Sequence, residues 1–173
     1  MNIGQILDSI RSAIWEFVGK KRHLNRINEI EIAIGAVKES SEYVHRARGR
    51  NSASQYMIRN LEGSNFPHLD VFELVENTRV SCEQLSRYTS DLRRKTEPAE
   101  TLNSNTIFLT GKRGEFARNL SEFSKNPTTE KLQEVKSQLD EVLEQYEKLQ
   151  IALDDHMKDL RRQQQLLTDK LIK

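Results

Sequence analysis

The chain is poor in the residues that staple or punctuate a fold. Among its 173 residues there is one cysteine, Cys82, so neither an internal disulfide nor a cysteine-rich zinc site can form. Three prolines and seven glycines leave few turn signals, and only 6% of residues are aromatic, which argues against a sheet protein of short strands and tight turns. No run of roughly 20 apolar residues exists to cross a bilayer. The first apolar stretch is interrupted by Asp8, Arg11 and Glu16, so it does not read as a signal-peptide core. An excess of one charge is also missing: 27 Lys and Arg against 26 Asp and Glu leave +1, which supplies no bulk attraction for nucleic acid. These absences point to a soluble, cytoplasmic chain in a reducing compartment, with any membrane contact peripheral.

What the chain does have is helical periodicity. Leu132, Val135, Leu139, Val142, Tyr146, Leu149 and Leu153 recur in alternating steps of three and four, the seam of one helix lying along another. Before them, "NPTTEKL" reads as a start, with Asn126 as cap, Pro127 in the first helical position and Glu130 in the first turn. A single helix from Pro127 to Ile172 would be about 70 Å long. After Leu153 the seam positions turn polar, at His156, Gln163 and Lys170. An apolar stripe continues one position over, through Met157, Leu160, Leu167 and Leu171. The fold expected is all-α, an elongated up-and-down helical bundle with a long C-terminal helix, one domain over residues 1–173.

At the other end two stripes conflict. Ile3, Ile6, Leu7, Ile10, Ile14, Phe17 and Val18 form one; Ile27, Ile30, Ile34, Val37 and Val44 form another. At 100° per residue their centres differ by roughly 160°, and one neighbour cannot bury both. A break between Gly19 and Arg26 is therefore expected. It would make residues 1–19 a separable amphipathic helix, followed by a longer helix to about Ala47. Between these ends, a short helix over Ser52 to Leu61 stopped by Gly63 is expected. A helix opened by Pro67 would carry Phe72, Val75, Cys82, Leu85 and Leu92. "TEPAETLNSN" reads as a loop, and a further helix carries Leu109, Phe116, Leu120 and Phe123.

No catalytic constellation emerges. "TIFLTGKRGEF" has the Gly111-Lys112 pair of a phosphate loop, but Thr106 and Arg113 stand where that loop needs Gly and Ser or Thr; it reads as a weakened helix start. Glu42 and His45 have the spacing of one half of a carboxylate-bridged metal site, without the second pair and two further carboxylates. His23, His45, His68 and His156 are scattered, and Cys82 lies on an apolar stripe. No enzyme activity, cofactor, metal or small-molecule substrate is expected. Basic clusters at Lys20, His45 and Arg93 read as C-terminal helix caps, so nucleic acid is disfavoured.

The function expected is that of a non-enzymatic interaction protein, a scaffold, adaptor or regulator working through helix–helix contacts with a protein partner or as a homo-oligomer. A membrane-active bundle whose first helix lies on anionic lipid is the second reading. The candidate contact residues are Trp15, Phe17, Lys20, Lys21 and Arg22 at one end, and His156, Gln163, Leu167 and Leu171 at the other. Trp15 points about 130° from the centre of its stripe, so the stripe can face the bundle while the indole packs on a neighbouring element or faces a partner.

Overall fold

In the computed structural model, residues 3–61 and 100–172 are described continuously. Glu76, Arg79, Val80, Glu83, Gln84, Arg87 and Ser90 are the only other described positions, all helical. Three helices carry the described chain: α1, Ile3–Arg59 (57 residues); α2, Glu100–Lys125 (26 residues); and α3, Thr129–Ile172 (44 residues). At 1.5 Å per residue they span about 85, 40 and 65 Å. Among the described residues there is no strand. The protein is an all-α bundle with a long C-terminal helix.

Both α1 and α2 pack on α3. Gln55 meets Asp140, Arg48 meets Glu147, Ser41 meets Gln150 and Glu31 meets Gln164, so α1 and α3 are antiparallel. On the other side of α3, Asn119 bonds Glu134 and Lys112 bonds Glu141, again antiparallel. The two shorter-range partners α2 and α3 form a helical hairpin closed by the three residues Asn126–Thr128. Asn126 is not the cap: the Thr128 hydroxyl accepts the Lys131 amide at 3.3 Å, and Pro127 lies one residue outside the helix. At the far end of α1 the Leu61 carbonyl accepts the Lys136 ammonium at 3.3 Å.

Each helix contributes a seam in steps of three and four. On α3 every residue of the seam from Leu132 to Leu153 is buried, and beyond it Leu160 is buried while Met157, Leu167 and Leu171 are half-buried, following the stripe displaced by one position. On α2 the seam is Leu102, Thr106, Leu109, Arg113, Phe116, Leu120 and Phe123. On α1 it is Ile30, Ala33, Val37, Ser40, Val44, Ala47, Asn51 and Ile58. The polar members on α1 satisfy themselves on their own helix: Ser40 donates to the Ala36 carbonyl at 2.9 Å and Asn51 to that of Ala47 at 2.8 Å. Small residues at Ala33, Ser40 and Ala47 let the two backbones approach closely.

Four expectations need correction. No break falls between Gly19 and Arg26, since α1 is continuous from Ile3 to Arg59. The opposed stripes coexist because the described members of the first, Ile10, Ile14, Phe17 and Val18, are exposed. The helix does not stop near Ala47, nor does a separate one start at Ser52; the seam carries straight on through Asn51 to Ile58. Glu100–Asn105, read as loop, opens α2, because Leu102 and Thr106 extend its seam by a turn. Gly111-Lys112 is consequently mid-helix and not a helix start. Gly63, Pro67, His68, Phe72, Val75, Cys82, Leu85, Leu92 and the cluster at Arg93 lie outside the described residues.

Candidate interaction surface

The antiparallel register of α1 on α3 decides what happens at the N-terminal end. Glu31 lies level with Gln164, so the last residues of α3 lie level with Arg22 to Arg26. In this register no residue of α3 stands opposite residues 3–22, about 30 Å of helix, and we call this segment the arm. All described side chains of the arm from Ser9 to Val18 are exposed.

The exposed face of the arm is apolar. Ile10, Ile14, Phe17 and Val18 are 51%, 57%, 70% and 50% exposed, and Leu24 prolongs the same face. The expectation that this stripe faces the bundle is overturned. Near Ile30 the bundle-facing direction of α1 lies about 180° around the helix from the arm's apolar face, so α3 could not cover that face even if it were longer. Trp15, expected to pack on a neighbouring element, is 71% exposed. Isolated exposed apolar residues are ordinary on a surface, whereas Ile10, Ile14, Phe17, Val18 and Leu24 fall on one contiguous face of the helix.

The cations nearby lose their assigned role. Lys20, Lys21 and Arg22, like His45 to Arg50, sit inside α1 and cannot cap a helix end. Lys20 bonds Glu16 at 2.7 Å, one turn away, and that contact holds the Glu16 carboxyl below its ordinary value. Among the described residues Arg11, Lys21 and Arg22 have no carboxylate partner. At the root of the arm an open cleft is lined by Val18, Lys21, Arg22, Asn25, Arg26 and Glu29, with Arg26 bridged to Glu29 at 2.9 Å.

The distal candidates divide. Leu167 packs at the edge of the core and Leu171 is half-buried, so both are engaged within the chain, whereas Gln163 is exposed. His156 is half-buried with its Nε2 buried and unbonded. Burial holds its pKa below the ordinary value, against the opposing pull of the Asp159 charge. By the register, Leu171 and the arm's root lie side by side, so the two candidate regions adjoin.

Two features were missed in the sequence. Ile10 and Ile14 lie on a stripe read as able to face the bundle; only the register shows that α3 does not lie opposite them. Arg113, weighed as a misfit in a phosphate loop, is fully buried in the α2 seam, its guanidinium over the Tyr146 ring at 5.2 Å. Alternation in steps of three and four from Leu109 to Phe116 passes through it, and that signal was there to be read. Among the described residues no group of three or more His, Cys, Asp or Glu side chains could hold a metal ion, and no helix is long and apolar enough to cross a membrane. Glu42 and His45 are both exposed. No family model, curated protein or solved structure matches this chain.

Proposed function

We propose that the protein is a non-enzymatic interaction protein, a stiff helical body that presents the arm of α1 as its docking element. One observation carries this reading: Ile10, Ile14, Phe17 and Val18 form a continuous apolar face at helical spacing, each at least half exposed, on a helix that has outrun its partner. A helix that only served the core would gain nothing from those residues. Four large apolar groups left in water forgo about 1.5–3 kcal/mol of burial each, which is available to whatever covers them.

The body supports the arm mechanically. Because α1 is one uninterrupted helix, the arm is anchored by the whole seam from Ile30 to Ile58. The distal end of α3 supplies the footing: Leu160, Leu167 and Leu171 hold the stretch of α1 from which the arm leaves, while exposed Gln163 and Leu166 flank it.

Deleting residues 1–18 tests the reading. Residues 9–18 are all exposed, so the shortened chain should keep its cooperative unfolding while losing partner capture or changing its mass in solution. An unchanged interactome together with an unchanged mass would sink the proposal.

A further inference from the structure

The arm has a distinct arrangement of charge around its apolar face, and this bears on what the face docks against. At 100° per residue the face runs about 120° around the helix, from Leu24 and Phe17 through Ile10 and Ile14 to Val18. Arg11 and Arg22 follow Val18 within about 40° on one side, and Lys20 stands about 40° beyond Leu24 on the other. Glu16 is about 140° from the centre of the face, on the polar side. Arg11 and Arg22 thus stand at one margin of the apolar face and Lys20 at the other, Lys21 falls near its centre one turn beyond Phe17 and Val18, and Glu16 stands away from it. Over residues 3–22 there are four cations and two carboxylates. Trp15 lies about 20° beyond Arg22, fully available at 71% exposure, where an indole would sit at the level of the charged margin.

A second copy of the chain fits this face poorly. In a parallel pair Lys21, which lies near the centre of the face, would meet its own copy. In either orientation the margins bring cations against cations, with no carboxylate there to answer them. What the margins do complement is a plane of negative charge lying on an apolar layer. A helix lying in such a plane buries its apolar face among acyl chains and sets its cations at headgroup level, with long Lys and Arg stems reaching outward. Arg11, Lys21 and Arg22, which neither cap a helix nor pair with a carboxylate among the described residues, then acquire counter-ions. The cleft lined by Lys21, Arg22 and Arg26 opens at the end of the same face. The arm also extends about 30 Å beyond the end of α3, long enough to lie flat while the bundle stays in water.

We infer that the arm docks in the plane of an anionic phospholipid surface, with Ile10, Ile14, Phe17 and Val18 in the acyl boundary and Arg11, Lys20, Lys21 and Arg22 at the phosphates. This rests on the arm being the docking element. The test uses the whole chain, with Trp15, its only tryptophan, as reporter. The chain is mixed with phosphatidylcholine vesicles and with phosphatidylcholine–phosphatidylserine vesicles at low and high salt, and followed by co-sedimentation and emission. The expected result is binding to the anionic vesicles alone, a blue shift of the emission, and release as salt rises. Neutralising two cations, Lys21→Gln with Arg22→Gln, should weaken binding about twenty-five-fold, at about fivefold per cation. Phe17→Asp should abolish it. All three side chains are exposed on a solvated helix, so the variants should unfold like the parent.

Equal binding to neutral vesicles, or none to either kind, overturns the inference. If vesicles are ignored but the arm deletion changes the mass, or removes an acidic protein partner, the lipid assignment fails and the arm stands as a docking element. If vesicles are ignored and the deletion changes nothing, both readings fail together.

Discussion

Arg113→Met should make the protein more stable, although it deletes the largest fully buried side chain of the α2 seam. Arg113 has no exposed surface, and its Nε, Nη1 and Nη2 are buried without a hydrogen-bond partner. Its favourable contact is the Tyr146 ring, 5.2 Å from the guanidinium, and a desolvated pair of this kind contributes about 2 kcal/mol. Against that stands the transfer of a charged group into the buried seam beside Tyr146. Its effective cost is several kcal/mol even after relaxation. Methionine is unbranched, fills irregular space and carries no donors, so it retains much of the packing and removes the desolvation cost. The net expectation is a gain of about 1–2 kcal/mol, at the lower end of what replacing buried charges by apolar groups delivers. For a chain of this size that corresponds to a rise in Tm of roughly 2–8 °C. Urea titration followed by circular dichroism measures it directly. Arg113→Ala is the control, and should fall below the methionine variant because it opens a cavity. A methionine variant less stable than the parent by 2 kcal/mol or more would refute the reasoning, since it would mean that the guanidinium has an acceptor whose loss is felt.

Gly111→Ala and Gly114→Ala should each stabilise α2 by about 0.5–1 kcal/mol in thermal unfolding, because a Cβ at either position meets nothing within 4 Å and the unfolded chain loses freedom; destabilisation would show that the helix is not continuous there. His156 sets a pH dependence. Burial holds its folded-state pKa below the ordinary 6.5, so the unfolded chain binds this proton more readily and stability falls as pH drops below about 6.5. His156→Gln should flatten that part of the stability profile, and an unaltered acid limb would exclude the group as its source.

Much of the bundle was legible because periodicity reports burial wherever a helix has a neighbour along its length. The seam from Leu132 to Leu153 is buried at every position, and Leu109, Phe116, Leu120 and Phe123 behave likewise. The same rule misled at Ile10 and Ile14, because an apolar stripe records a demand for cover and does not say what meets it. The expected break near Gly19 came from assuming that both stripes of α1 share one neighbour; glycine there merely weakens a helix that the register leaves unpartnered. Thr128 instead of Asn126 as cap reflects the ±2-residue play of helix ends. Arg113 was passed over for a different reason, although the alternation runs through it. A lone cation at a seam position contradicts the pattern around it, and only packing shows that the pattern wins.

The antiparallel register of α1 on α3 also orders the assembly of the molecule in time. Asn119 and Glu134 are 15 residues apart, so the α2–α3 hairpin closes a short loop and can form early. The contacts of α1 span far more chain, from 75 residues for Leu61 with Lys136, through 109 for Ser41 with Gln150, to 133 for Glu31 with Gln164. On a ribosome adding 5–20 residues per second, Gln164 is made roughly 7–27 s after Glu31. Helix α1 is made before α3 and waits for it, then zips onto it from its Leu61 end toward its root. The stretch joined last is the one that carries the arm. The apolar face that is exposed in the finished molecule thus sits on the end of α1 that is last to be tied to α3.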